Sequence, residues 1–170
     1  RGRQSVKLWW TMTGEAVSTT RRTYLLEAGA QAGQHTPLVR LRETEDHLEM
    51  MRGNTPLLHY NTPATPLPPS ADPKYKRSGY INPVWTASGQ VVTDRAENYL
   101  HQLGVWLAYV GTQYEGRAPN FWDLLNGKAT VQYAGTQSKS SGPAVASFTV
   151  RPAHIDLGTP QHPQIARKET

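Results

Sequence analysis

Cysteine is absent from this 170-residue chain. That removes disulfides, thiolate metal sites, a Cys nucleophile and covalently attached c-type haem. Charge is sparse, at 18% of residues, and no Lys/Arg block is longer than two. A net charge of +5 spread so thinly describes a solvated basic surface rather than a nucleic-acid stripe. Long hydrophobic runs are missing too. The longest, Leu103–Val110, is far too short to span a bilayer. There is no Gly-x-Ser-x-Gly elbow, phosphate loop or dinucleotide fingerprint. Phe is rare, with two residues against five Trp and eight Tyr. The aromatic content is therefore mostly of the kind that pairs an apolar body with a polar handle, which suits pockets and interfaces as well as cores.

What is present is turn chemistry. Gly and Pro together number 27 of 170, a loop-rich, β-leaning composition. Short apolar or alternating runs at 6–10, 23–27, 38–42, 47–51 and 56–60 predict strands in the first third. Arg52-Gly53-Asn54-Thr55 is the strongest hairpin signal, because Gly-Asn can take positive φ. Residues 61–73 hold five prolines and predict an extended surface connection. Further strands are expected at 90–93, 105–113, 129–133 and 145–151, with a Ser/Gly/Lys loop at 135–142 and an irregular tail at 158–170. One short helix is expected near 95–103. Asp94-x-x-Glu97 resembles a capping box, Gly104 stands as its C′ residue, and Ala96, Tyr99, Leu100 and Leu103 share a face. The expected fold is all-β: a single domain over 1–170, a β-sandwich or jelly-roll-like sheet pair with long Pro-rich loops.

Six His are scattered at 35, 47, 59, 101, 154 and 162, none at a spacing that sets two ligands side by side. Sequence leaves open a metal site assembled from separate strands. The expectation is no metal ligand set and no cofactor, each His being a surface or singly hydrogen-bonded group. His101 differs, because Glu97 lies four residues before it on the expected helix face and could orient it for acid–base work. A helix-end His satisfied by Glu97 explains the same spacing. Asp94, Glu97, Glu115 and Asp123 supply carboxylates of the kind that glycoside hydrolysis pairs, although Asp94 and Asp123 have capping roles available. The candidate catalytic set is thus His101, Glu97 and Asp94. The candidate substrate-binding set is Arg77 and Arg117 for their planar forks, Trp85 and Trp122 as turn-bounded aromatic faces, and Glu115. A structural Arg–carboxylate pair is the alternative for each Arg.

Four stretches carry a family resemblance: Arg77-Ser78-Gly79-Tyr80-Ile81-x-Pro83, Ser88-Gly89-x-Val91-Val92-Thr93-Asp94, His101-Gln102-x-Gly104-Val105-Trp106, and Tyr114-Glu115-Gly116-Arg117-x3-Phe121-Trp122. They resemble a bacterial family of unknown function labelled methane oxygenase PmoA-like, whose members are secreted or periplasmic β-sandwich proteins. The similarity takes in Pro56-Leu57-Leu58-His59-Tyr60-Asn61 upstream and Ser141-Gly142-Pro143 downstream, and covers roughly residues 38–157. It implies a carbohydrate-related role and a periplasmic or extracellular location, with any signal peptide removed. The family places His at the position of Asn82 and a His-rich run where this chain reads Asn98-Tyr99-Leu100-His101-Gln102-Leu103-Gly104. Only His101 of that cluster remains, so the resemblance implies that metal or proton chemistry there is lost. Family members are also longer, and a shortened sandwich would expose a strand edge.

The expectation is therefore a non-catalytic accessory or binding subunit. Its partners would be another protein or a second copy covering strand edges, and a carbohydrate ligand; no nucleic acid and no transmembrane segment are expected. The alternatives are a carbohydrate-active enzyme using His101 as acid or base, and a carbohydrate-binding module.

Overall fold

The structure is a computed structural model that describes residues 7–10, 21, 23–25, 38–122, 124, 127–159 and 162–166, the backbone alone at 159 and 162–166. It is all-β. Strands β1 (Val39–Glu43), β2 (His47–Arg52), β3 (Thr55–Asn61), β4 (Tyr80–Val84) and β5 (Val105–Trp106) form one antiparallel sheet in chain order. Strands β6 (Ala129–Ser140), β7 (Ser147–Thr159) and β8 (His162–Ala166) form a second. Among the described residues no helix is long and apolar enough to cross a membrane.

The expected hairpin joins β2 to β3. Gly53 takes φ 58 at the first loop position, and Arg52 pairs with Thr55. Primed turns of this kind match the strand twist. One residue further along, the ladder slips. Met51 pairs with Pro56 but Met50 pairs with Leu58, so Leu57 is an extra residue on β3. Pro56 has no N–H to give the ladder, and strand prolines collect at such bulges.

The sheets meet over Leu48 and Tyr60, which pair across β2 and β3 and are both buried. The Tyr60 ring lies 5.6 Å from that of Phe148 and 6.0 Å from that of Tyr133. Ser78 Oγ accepts from Tyr133 N at 2.9 Å, and Val39 bridges to Gly142. A second cluster, Phe121, Ala129 and Val131 with Tyr109 against it, ties the long irregular segment after β5 onto the smaller sheet.

Several expectations fail at the level of local structure. Residues 95–103 form turns rather than a helix. A helix under three turns gains little on its own, and the backbone here is claimed by tertiary partners. Asp94 Oδ1 accepts from Arg95 N rather than capping a third-position amide. Gly104, at φ 87, lies so close to β4 that a Cβ there would come 2.5 Å from the Ile81 carbonyl oxygen. Gln90–Thr93 contributes only an isolated bridge, Val91 to Trp85, and the strand expected over 105–113 stops at Trp106. Conversely, the Ser/Gly/Lys stretch is largely strand: Ser138, Lys139 and Ser140 pair with Thr149, Phe148 and Ser147. Pairing across β7 overrides their loop-like composition. The expected irregular tail contributes the end of β7 and all of β8. Of the first two expected strands, residues 7–10 and 23–25 are not strand, and Val6, Leu26 and Glu27 lie outside the described residues.

Candidate functional site

A three-residue cluster sits on neighbouring strands of the larger sheet. His47 and Glu49, two apart on β2, share a face. Across the ladder Glu49 is directly opposite His59 on β3, which brings the third residue to that face. One ligating atom from each of His47, Glu49 and His59 lies within 4.8 Å of the others. The two imidazoles stack at 3.9 Å and 13°, and His59 Nε2 is 3.3 Å from Glu49 Oε1. Trp85 closes one side, its ring edge-on to His59 at 4.8 Å.

Arg42 on β1 is paired with Glu49 and holds the other carboxylate oxygen: Nη2 and Nε lie 2.6 and 2.8 Å from Oε2. Burial of Glu49 raises its pKa, but hydrogen bonds from Arg42 and His59 outweigh it and leave the carboxyl below its ordinary value. Burial lowers the pKa of His59, with help from His47, against the opposing pull of Glu49. The group is thus a carboxylate with one oxygen anchored and one turned toward two imidazoles. Such a set can bind a cation or pass a proton between His59 and Glu49.

The sequence-predicted catalytic set is not drawn into one hydrogen-bonded group. Among the described residues no hydrogen bond or ion pair joins Asp94 or Glu97 to His101, and both carboxylates are exposed. Without the helix, the spacing of Glu97 and His101 no longer aligns them. The His101 ring sits edge-on to Trp122 at 5.4 Å and to Tyr99 at 6.0 Å. Asp123 lies outside the described residues.

Arg77 is buried, 2% exposed. Its Nη2 donates to the carbonyl of His101 and its Nη1 to that of Phe121 at 3.3 Å. Burial, with a smaller effect of Arg95, pulls its pKa down to about 10. The guanidinium therefore staples two chain segments together. Arg117 bonds the buried Asp156 through Nε at 2.7 Å, with Glu115 a looser 3.6 Å away. These three groups meet at the turn Gln113–Ala118, which forms a shallow groove. Trp122 is exposed, whereas Trp85 belongs to the His cluster.

Sequence reasoning missed His47, Glu49 and His59 as a unit. His47-Leu48-Glu49 has the alternation that puts both on one strand face, and His59 lies in the next strand of a recognised hairpin. A regular two-residue hairpin, however, would set His59 opposite Leu48, on the other face. The bulge corrects the register, and Pro56 was its one visible sign.

The family model for a family of unknown function (DUF6807) matches residues 47–169. No curated protein and no solved structure matches the chain.

Proposed function

The chain belongs to a family of unknown function (DUF6807), and we propose that it is a non-catalytic binding or accessory protein. The observation that carries this reading is the burial of Arg77 on the His101 and Phe121 carbonyls. The residue best suited to grip a substrate is spent on holding the chain. The stretch from Arg77 to Trp122 then works as a scaffold, and its surface offers Tyr99, His101 and Trp122 as an aromatic run. Exposed aromatic rings beside a hydrogen-bonding imidazole suit a sugar face, so the proposed ligand is a carbohydrate. The PmoA-like resemblance supports the same role in a periplasmic or extracellular setting, with His101 the sole remnant of the His cluster.

The test has two readouts on the same chain. Oligosaccharides should change Trp fluorescence saturably, and Trp122→Ala should remove most of that change. Chromogenic glycosides should show no turnover above buffer. Turnover that disappears in His101→Ala would overturn the reading in favour of acid–base catalysis. That variant leaves the Arg77 staple intact, because Arg77 uses the main-chain carbonyl.

A further inference from the structure

We propose that His47, Glu49 and His59 bind a divalent transition-metal ion of the zinc class. This goes beyond the carbohydrate-binding reading and does not depend on it, since the cluster lies on β2 and β3 and that reading rests on Arg77, Tyr99, His101 and Trp122.

Two imidazoles and one carboxylate are a donor set that borderline ions such as Zn2+ accept. Their placement is rigid. Glu49 and His59 face each other on adjacent strands, and His47 is one pleat away on the strand of Glu49. Strand-borne ligands are more precisely held than loop-borne ones. Ligand atoms at roughly 2.0–2.2 Å from a common ion must draw in by about an ångström from the present 4.8 Å limit. Side-chain rotation of His47 and His59, both only half-buried, can supply that movement.

Arg42 is the obvious objection, because a guanidinium beside a cation site is repulsive. Its two nitrogens, however, approach Oε2, while Oε1 faces His59. Arg42 therefore orients the carboxylate in the way outer partners of metal ligands do. Its own side chain is 64% exposed, so solvent screens its charge. Three protein donors leave a fourth position for water or a small ligand.

The experiment uses the full chain, stripped by chelator and titrated with ZnCl2 by calorimetry. Co2+ serves as a coloured substitute that reports tetrahedral geometry. One ion per chain is expected, and His47→Gln and His59→Gln should each weaken binding by at least about tenfold. His101→Gln should bind as the parent does. No bound ion, or unchanged affinity in both cluster variants, would overturn the proposal. Should either variant fail to fold, the unsubstituted chain decides. Zn2+ should shield His47 and His59, but not His101, from diethyl pyrocarbonate, as mapped by peptide mass spectrometry. Shielding elsewhere, or none, would sink it.

Discussion

Arg77, just before β4, donates to the main-chain carbonyl of His101, 24 residues further along. Sequence alone pairs these two as substrate clamp and acid–base catalyst. In the fold they meet instead through a buried cation and a backbone oxygen, and the irregular segment between β4 and β6 takes its shape from that contact. A second bond, from Arg77 to Phe121, anchors the segment's far end beside the smaller sheet.

Arg77→Lys should therefore destabilise the chain by about 1–3 kcal/mol, since an ammonium cannot span both carbonyls and leaves a buried acceptor unpaired. Urea unfolding of the variant against the parent measures this. An unchanged midpoint would show that the fork is not needed.

Gly104 has no tolerance for a side chain. Its φ of 87 disfavours any L-residue, and a Cβ would fall 2.5 Å from the Ile81 carbonyl oxygen. Gly104→Ala should cost at least about 2 kcal/mol. Gly89→Ala is the control, with a similar φ of 85 and nothing within 4 Å of the added carbon. It should cost clearly less, and equal losses would assign the effect to backbone strain alone.

The inter-sheet core predicts an alkaline limit. Burial, with a contribution from Tyr133, pushes the pKa of Tyr60 from 10.0 up to about 12. The fold thus favours the protonated phenol. Its contribution is fully present below pH 10 and is lost as pH rises to about 12. Two units correspond to about 2–3 kcal/mol. Tyr60→Phe removes the ionising group, so its stability should fall less steeply across that window than the parent's. Parallel pH profiles of the two chains would contradict this.

At the Gln113–Ala118 turn, Asp156 is the buried member of its pair and also accepts from Gly158 N at 2.8 Å. Arg117 is more open, and its pKa is raised chiefly by the hydrogen bond to Asp156. Arg117→Ala should therefore lower the melting temperature more than Asp156→Ala, because it leaves a buried carboxylate without its cation, whereas Asp156→Ala leaves an Arg117 that solvent can reach. The reverse order would mean that the bond from Gly158 N to Asp156, rather than the ion pair, carries the stability.

Pattern and turn chemistry alone determined that this chain is β-built. Alternation in Val39–Glu43 and His47–Arg52, Gly53-Asn54 between two apolar runs, and β-branched stretches near 129 and 148 all point to antiparallel strands, and strands form there. Those signals are local, so they survive without knowledge of distant partners. The same reasoning failed between 94 and 104. A capping-box pattern is a weak local preference, and Arg77 and the Ile81 carbonyl, neither adjacent in sequence, outweighed it. It failed again at 135–140, where pairing with β7 made strand from a loop-like composition. The site was the least legible part. Three suitable residues were visible, but which face each occupied depended on register, and register depended on one extra residue after Pro56. A slip of one position sends a side chain to the opposite face of a sheet. Only the tertiary structure could decide that His59 stands with Glu49 rather than with Leu48.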